Sequence, residues 1–213
     1  NYLQLWDMNN IRAIIFDLGA VLLNINYHKT IEEFEKLGIK NSSSFYSKKE
    51  QTNLFNLLET GKISEEDFTT EVKKECKYGS DNKIVSAWNA MLLDLPKHRI
   101  SLLKDLNKKY DIYLLSNTNS IHISEFKNIM GYEKYEEFYK LFKKVYYSHE
   151  IGFRKPNKEA FQLILDENNL NADEVLFIDD SPQHIEGAKN LGIKTYHLKY
   201  GEEVTTLFPD IAL

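Results

Sequence analysis

Five short apolar runs limit the folds open to this chain of 213 residues more than any other feature of its sequence. Each run is rich in β-branched and aromatic residues, as expected of buried strands. From the second run onward, segments with helical spacing separate them, including Pro96 to Lys109 and Asn157 to Glu167. Strands that alternate with helices form βαβ units, so we predict an α/β fold with a doubly wound parallel sheet of about five strands. The predicted strands are Ala13 to Phe16, Ile112 to Leu115, Val145 to Tyr147, Val175 to Ile178 and Thr195 to Leu198.

A segment of about 70 residues separates the first two predicted strands and has no convincing strand pattern of its own. Its apolar residues recur in three groups at helical spacing. Ser64, with Asp67 three residues later, predicts a capping box at the start of one of these helices. The segment is longer than an ordinary crossover connection. We therefore predict a helical cap domain at residues 27–96, inserted into an α/β core made of residues 1–26 and 97–213.

The composition argues against several classes of protein. Cys76 is the one cysteine, which excludes an intramolecular disulfide and a cysteine-based zinc site. The 27 basic and 32 acidic residues give a net charge of −5, which argues against an extensive surface for nucleic acid or for an anionic membrane. Polar residues interrupt the longest apolar stretch, Ile11 to Leu23, and residues 1–10 lack the features of a secretory signal. We expect a cytoplasmic protein that binds neither nucleic acid nor membrane.

Polar side chains follow four of the five predicted strands. Asp17 follows the first strand, Ser116 the second, and a short loop after the third carries Lys155. The adjacent pair Asp179 and Asp180 follows the fourth strand. Because ligands bind at the carboxyl ends of the strands in parallel α/β sheets, we expect these side chains to converge on one edge of the sheet.

This set of side chains suits the transfer of a phosphoryl group. One carboxylate can attack phosphorus and carry the group as an aspartyl phosphate. Clustered carboxylates are hard oxygen ligands of the kind that Mg²⁺ prefers, together with substrate phosphate and water. A lysine and a serine hydroxyl can neutralise and orient the phosphate oxygens. Gly19 has no side chain, so the backbone N–H groups of the turn at Leu18 and Gly19 can approach a phosphate closely.

The order of these residues along the chain resembles the four sequence motifs of the haloacid dehalogenase superfamily, and the likeness extends from Ile11 to about Leu198. Four ordered motifs form a specific signal, whereas any one alone is weak. A Rossmann-like core and a helical cap after the first motif are typical of a large subclass of that superfamily. The segments that most resemble its glucose-1-phosphate phosphatase-like branch begin at Asp17, Leu115, Arg154 and Asp179 in the core and at Glu59 and Trp88 in the cap.

The resemblance implies a Mg²⁺-dependent hydrolase of a small phosphorylated metabolite, such as a sugar phosphate, in a protein that is a monomer or weak dimer. Asp17 would be the catalytic nucleophile and a metal ligand, and Ser116 and Lys155 would be catalytic residues that hold the phosphoryl group. The further implied metal ligands are the carbonyl oxygen of Gly19, Asp180, and Asp179 through water. The implied phosphate-binding residues are Leu18, Gly19, Ser116, Asn117 and Lys155.

One departure from the wider superfamily affects the expected rate. Many of its phosphatases have a second aspartate two residues after the nucleophile, where it acts as the general acid and base. Gly19 occupies that position here, as it does in the branch that the chain resembles. A general acid contributes roughly 10²–10⁴-fold, so we expect slower turnover or a requirement for good leaving groups such as anomeric phosphates. Asn24, Asn26 and His184 also differ from residues common in related sequences, and the sequence does not assign their roles.

Simpler interpretations exist for several of these residues. The Asp179-Asp180 pair could cap the helix that follows it, because Ser181 and Pro182 are typical of a helix start. Ser116 could be a turn hydroxyl, and Lys155 a solvated loop lysine. We expect the neighbouring Arg154 to be solvated and Trp88 to pack in the core of the cap. The six histidines include no pair with metal spacing; three are expected near the site in structural or supporting roles, namely His28, His149 and His184.

Three other functions remain open from the sequence. A dehalogenase of the same superfamily needs no metal, which the acidic pair argues against. A phosphonate hydrolase requires a lysine of the cap as a Schiff base, for which Lys29 and Lys62 are the candidates. A pseudoenzyme that binds phosphate or a protein partner is favoured by Gly19, whereas the otherwise intact set of site residues argues against it.

Overall fold

A computed structural model describes residues 8–45 and 53–209. The sequence predicts no secretory signal in residues 1–10, and most of these residues lie outside the described ranges. Within the described ranges, no helix combines the length and the apolar character that a membrane span requires.

Five parallel strands form one sheet with the order β3-β2-β1-β4-β5. This arrangement confirms the predicted fold class. The strand order changes direction at the central strand β1, with β2 and β3 on one side of it and β4 and β5 on the other. Ser116 and Asp179 are the last residues of their strands rather than the first residues of loops, because pairing with Tyr147 and His197 extends each strand to them. The strands are β1 Ala13–Phe16, β2 Asp111–Ser116, β3 Lys144–Tyr147, β4 Val175–Asp179 and β5 Lys194–His197.

Helices cover both faces of the sheet, as predicted. The core helices are α6 Lys97–Leu106, α7 Ser120–Met130, α8 Tyr132–Tyr139, α9 Ser148–Ile151, α10 Lys158–Glu167 and α11 Pro182–Lys189, with short 3-10 turns at Met8–Asn10, Ala172–Glu174 and Val204–Leu207. Alternate strand residues such as Ile14 and Phe16 pack with α6, α7 and α8, whereas Ile15 and Phe177 pack with α10 and α11. This alternation follows from the two-residue period of a strand.

The described residues of the predicted cap, 27–45 and 53–96, fold mainly as helices. Its helices are α1 Tyr27–Lys36, α2 Ser42–Phe45, α3 Asn53–Glu59, α4 Glu65–Glu75 and α5 Asp81–Asn89. Trp88 lies at the centre of an aromatic cluster in the cap, with ring centroids 4.9 Å from Phe55 and 5.7 Å from Phe68. Ser64 precedes α4 as predicted, and its hydroxyl accepts a hydrogen bond of 3.0 Å from the backbone N–H of Asp67.

Two antiparallel connecting segments join the cap to the core. The backbone N–H of Asn24 donates to the carbonyl of Asp94, the N–H of Leu93 donates to the carbonyl of Asn24, and Ile25 pairs with Leu92. The cap also packs on α7 and α9, which follow β2 and β3, so it lies at the carboxyl ends of the strands. This is the edge of the sheet at which the sequence predicts a site.

Candidate active site

The predicted site residues meet at the bottom of a cavity of about 590 Å³ between the core loops and the cap. Its lining includes Asp17, Leu18, Gly19, Ser116, Asn117, Lys155 and Asp180. Asp179 lies beneath them, fully buried. The expected convergence at the carboxyl ends of the strands is therefore confirmed.

Asp17 is held at the bottom of the cavity by a tight loop after β1. Its backbone N–H donates to the carbonyl of Ile178 at 3.0 Å, so it continues the edge of the sheet. The N–H groups of Leu22 and Leu23 both donate to the carbonyl of Leu18, which closes the loop. The N–H of Leu18 donates to Oδ1 of Asp17 at 2.8 Å and orients the carboxylate.

Lys155 lies at the centre of the polar cluster and is completely buried, so the alternative of a solvated loop lysine is wrong. Its Nζ donates to Oδ1 of Asp17 at 2.8 Å, to Oδ2 of Asp179 at 2.7 Å and to the carbonyl of Leu115 at 2.8 Å. The side-chain amide of Asn117 binds both the N–H and the carbonyl of Lys155, at 2.9 Å each. Asn117 therefore positions the lysine through its side-chain amide.

Three carboxylates provide a set of oxygen ligands that fits Mg²⁺. Asp17, Asp179 and Asp180 each offer an oxygen atom, and these atoms lie within 4.8 Å of one another. One part of the capping interpretation also holds, because Oδ1 of Asp179 accepts a hydrogen bond of 2.7 Å from the N–H of Ser181. Hard oxygen ligands clustered beside a phosphate site are the donor set that Mg²⁺ takes in proteins.

The two buried carboxylates that share Lys155 differ in pKa. Burial, together with the negative charge of Asp179, raises the pKa of Asp17 to about 7, although Lys155 offsets part of this effect. Burial would also raise the pKa of Asp179, but Lys155 and His184 lower it below its ordinary value. Nδ1 of His184 lies 3.0 Å from both oxygens of Asp179. The cluster therefore carries more negative charge than one lysine neutralises, and a bound cation would stabilise it.

The structure gives contacts to the three residues whose roles the sequence left open. His184 contacts Asp179, as described above. The side-chain oxygen of Asn24 accepts a hydrogen bond of 3.0 Å from Arg99, and its amide donates to Asp94 across the two connecting segments. Asn26 caps α1, where its side-chain oxygen accepts a bond from the N–H of His28 at 3.1 Å. Asn24 therefore links the two connecting segments to α6 of the core, and Asn26 stabilises the start of α1.

The wall that the cap contributes to the cavity was not predicted from the sequence. Asn53, Asn56 and Glu59 of α3 line this wall, and Arg154 lines the facing side. The prediction that Arg154 is solvated is wrong, because its side chain is only 19% exposed and its Nη2 lies 2.8 Å from Oε2 of Glu59. The signal in the sequence was the position of Arg154 next to Lys155. Its partner is remote in sequence and is revealed only by the position of the cap.

His122 is a second residue of the cavity lining that the sequence did not single out. Its ring stacks on Trp88 with centroids 4.4 Å apart, and Nε2 lies 3.1 Å from the carbonyl of Trp88. Asn119 accepts hydrogen bonds from the N–H of His122 and from the indole N–H of Trp88. These contacts join α7 of the core to α5 of the cap.

Four candidates named from the sequence are not part of the described lining of the cavity. Lys29 and Lys62 are exposed and are not part of the described lining, which weighs against a phosphonate hydrolase. His28 is also exposed, and its Nε2 lies 3.3 Å from Glu32 on the surface of α1. His149 is half-buried and stacks on Tyr147, as a structural histidine would.

Comparisons with known proteins agree with this geometry. Residues 14–198 match a family model described as haloacid dehalogenase-like hydrolase. A D-ribitol-5-phosphate phosphatase from Bacteroides thetaiotaomicron is 29% identical over 201 residues, which cover 91% of this chain and 94% of the relative. A sesquiterpene phosphatase from Aspergillus oryzae is 27% identical over 191 residues, 88% of this chain and 89% of the relative.

Solved structures of similar proteins have the same fold. A haloacid dehalogenase family enzyme from Bacteroides thetaiotaomicron, crystallised with magnesium and inorganic phosphate, superposes with a TM-score of 0.86 at 35% identity, over 93% of this chain and 98% of the other. A hydrolase of the same family from Porphyromonas gingivalis gives a TM-score of 0.79 at 30% identity, over 90% of this chain and 93% of the other.

Proposed function

Because the chain belongs to the haloacid dehalogenase-like hydrolase family, we propose that it is a Mg²⁺-dependent phosphatase of small phosphorylated metabolites that uses Asp17 as its nucleophile. The observation that carries this proposal is the cluster at the carboxyl ends of the strands. There a buried lysine joins Asp17 to Asp179, and Asp180 lies alongside. Two relatives support a phosphomonoester as the substrate. One is named a D-ribitol-5-phosphate phosphatase and the other a sesquiterpene phosphatase.

We assign the covalent step to Asp17. The donors Leu18 N–H and Lys155 Nζ both contact Oδ1 and orient the carboxylate, so we assign Oδ2 as the atom that attacks phosphorus. The bond between Oδ2 and phosphorus forms as the bond between phosphorus and the leaving oxygen breaks. Water then attacks phosphorus, releases inorganic phosphate and regenerates the carboxylate. Lys155 and the hydroxyl of Ser116 stabilise the charge that develops on the phosphate oxygens.

We propose that Asp17, Asp180 and the carbonyl of Gly19 would hold Mg²⁺, with Asp179 beside them. When bound, the ion supplies positive charge that neutralises the crowded carboxylates and orients the phosphate. Asp179 has a second task, because it fixes Nζ of Lys155 and accepts the N–H of Ser181. His184 contacts this carboxylate and keeps it in its charged form.

A panel of phosphate esters tests the proposed function. We expect release of inorganic phosphate from sugar phosphates, polyol phosphates or aryl phosphates in the presence of Mg²⁺. Activity should disappear with excess chelator and return when Mg²⁺ is restored. Full activity in chelator would overturn the metal-dependent mechanism, and the absence of turnover with every ester would favour a pseudoenzyme.

A further inference from the structure

We propose that Glu59 and Arg154 form a recognition subsite for the leaving group, and that their ion pair makes the protein select uncharged hydroxylated leaving groups over carboxylated ones. This inference rests on the proposed phosphatase function and adds to it a substrate class. The subsite comprises Asn53, Asn56 and Glu59 of α3 together with Arg154 of the core loop.

The ion pair links the cap to the catalytic loop across the cavity. Glu59 is the last residue of α3, and Arg154 directly precedes Lys155. Their side chains are 8% and 19% exposed, and Nη2 of Arg154 lies 2.8 Å from Oε2 of Glu59. A leaving group that extends from a phosphate held by Lys155 towards the cap therefore meets this pair.

A close approach between backbones places Glu59 in this position. Helix α3 packs on α9 of the core, and the turn after α3 contains Gly61 with φ of +67°. A Cβ atom at Gly61 would clash with the carbonyl oxygen of His149, which belongs to α9. Backbone atoms cannot move aside as the end of a flexible side chain can. The missing side chain at Gly61 thus brings the end of α3 onto the core, next to the loop that carries Arg154.

The charge balance of the subsite gives its selectivity. Among the lining residues that the structure describes, the other acidic, lysine and arginine side chains are Asp17, Lys155 and Asp180, which belong to the phosphate end. Glu59 and Arg154 neutralise each other, and Asn53 and Asn56 add neutral amide donors and acceptors. Such a wall can donate hydrogen bonds to hydroxyl groups and can also accept hydrogen bonds from them.

Charged and apolar leaving groups fit this wall less well. A carboxylate on the leaving group would face Glu59 and would have to displace it from Arg154, which would leave Glu59 without its cation in a buried place. A terpene chain would remove water from the two amides without offering hydrogen bonds in return.

Two esters that differ in one charge test the proposal. D-ribitol 5-phosphate and D-ribonate 5-phosphate share the same phosphate ester, but the first ends in a hydroxymethyl group and the second in a carboxylate. We expect wild-type protein to favour the ribitol ester in kcat/KM. In Glu59→Gln the Arg154 cation is released, so the ratio of kcat/KM for ribonate ester to ribitol ester should rise at least about tenfold, the effect of one charge-assisted hydrogen bond.

Three further variants separate charge from structure. Glu66→Gln removes an exposed carboxylate of the cap and should leave the ratio unchanged. Arg154→Gln should lower the ratio, because Glu59 then repels the carboxylate alone. The double variant Glu59→Gln/Arg154→Gln contains neither charge and should return the ratio to near the wild-type value. Thermal unfolding checks that each variant folds. Inhibition of aryl phosphate turnover by the two esters gives the same comparison where their own hydrolysis is slow.

The outcomes distinguish this inference from the proposed function. A wild-type protein that hydrolyses phosphate esters but shows the same ratio, within about twofold, in Glu59→Gln and in the double variant would overturn the inference and leave the phosphatase intact. A raised ratio in Glu59→Gln that the double variant reverses would support it. If Glu59→Gln does not fold, Arg154→Gln and the double variant decide the question alone. No phosphate release by wild-type protein from any ester would overturn the proposed function instead.

Discussion

At the scale of single residues, Lys155 determines how two buried acidic groups, Asp17 and Asp179, can coexist. It lies between Asp17 and Asp179 with its ammonium at 2.8 and 2.7 Å from their oxygens, and no part of it reaches solvent. Removing one partner of such a cluster leaves charge that is buried and uncompensated. Lys155 is therefore expected to contribute to folding as well as to catalysis.

Replacing Lys155 tests this double role. Lys155→Met should abolish turnover and lower the free energy of unfolding by about 3–5 kcal/mol, because two buried carboxylates lose their cation. The measurement is chemical denaturation together with phosphate release. Lys158→Met, which removes an exposed lysine at the start of α10, is the matched control and should be close to wild type. A Lys155→Met protein as stable as this control would contradict the assigned charge balance.

Gly19 predicts how the rate depends on the leaving group. It has no side chain that could protonate the leaving oxygen, so the bond to phosphorus must break as the departing oxygen accumulates charge. We expect kcat/KM to fall steeply as the pKa of the leaving alcohol rises, from aryl and anomeric phosphates to simple alkyl phosphates. The measurement is a series of esters graded by that pKa. A flat series would show that another group supplies the proton.

Restoring a carboxylate at position 19 gives the complementary experiment. A Cβ atom at Gly19 would collide with Cδ1 of Ile25, which is the far end of a flexible side chain. Ile25→Val removes that methyl group at a typical cost of about 0.5–1.5 kcal/mol. We therefore expect the double variant Gly19→Asp/Ile25→Val to flatten the dependence on leaving-group pKa, with Ile25→Val alone as its control.

At the scale of helices and strands, the sequence predicts the sheet well because buried parallel strands have a distinctive composition. Each of the five apolar runs is a strand, and the observed ends differ from the predicted ends by one residue at most. Ser116 and Asp179 fall inside strands because backbone pairing, which side-chain composition does not encode, continues through them. The polar residues at the strand ends were predictable for the same reason, since a parallel sheet brings those ends together.

The turn after α3 is the element on which the position of the cap depends. Gly61→Ala should destabilise the protein by more than the roughly 1–2 kcal/mol that a left-handed backbone costs a residue with a side chain, because its Cβ meets the backbone of His149. It should also lower kcat/KM for the ribitol ester, since Glu59 moves away from Arg154.

Gly201→Ala is the matched control for Gly61. Gly201 has φ of +85°, and a Cβ there meets nothing within 4 Å, so the variant has the backbone cost without the clash. Denaturation curves for the two variants should therefore differ. Equal losses of stability would contradict the proposed close approach between the cap and α9.

At the scale of the whole molecule, the contacts between the cap and the core could not be predicted from the sequence. Glu59 and Arg154 are about 95 residues apart, and Trp88 and His122 belong to different domains of the predicted division. Periodicity finds the apolar face of each helix, but it does not show which polar residues two domains bring together. The domain boundaries at residues 27 and 96 themselves stay a prediction.

His122 at the junction of cap and core predicts a dependence of stability on pH. Burial lowers the pKa of His122 to about 4, although its bond to the Trp88 carbonyl offsets part of this effect. An unfolded histidine titrates near 6.5, so between these values the unfolded state binds a proton that the native state does not. The contribution of His122 is therefore complete above about pH 6.5 and is lost as the pH falls towards 4.

Comparison with His122→Gln isolates this effect from that of the other histidines. Gln keeps an N–H that can donate to the carbonyl of Trp88, but it does not titrate. The free energy of unfolding of wild-type protein should fall more steeply than that of the variant, by up to about 1.4 kcal/mol per pH unit between pH 6.5 and 4. Parallel curves for the two proteins would contradict a neutral, buried His122.

The most direct test of the account is the turnover of Asp17→Asn at saturating Mg²⁺, measured with an aryl phosphate beside wild-type protein. The substitution keeps the shape of the side chain and an oxygen that can accept the bond from Lys155, so the protein should remain folded by thermal unfolding. It removes the charge that attacks phosphorus. We predict that Asp17→Asn releases phosphate at the background rate, whereas the wild-type protein is active and depends on Mg²⁺. A folded Asp17→Asn protein that retained most of the wild-type rate would contradict the assignment of Asp17 as the nucleophile.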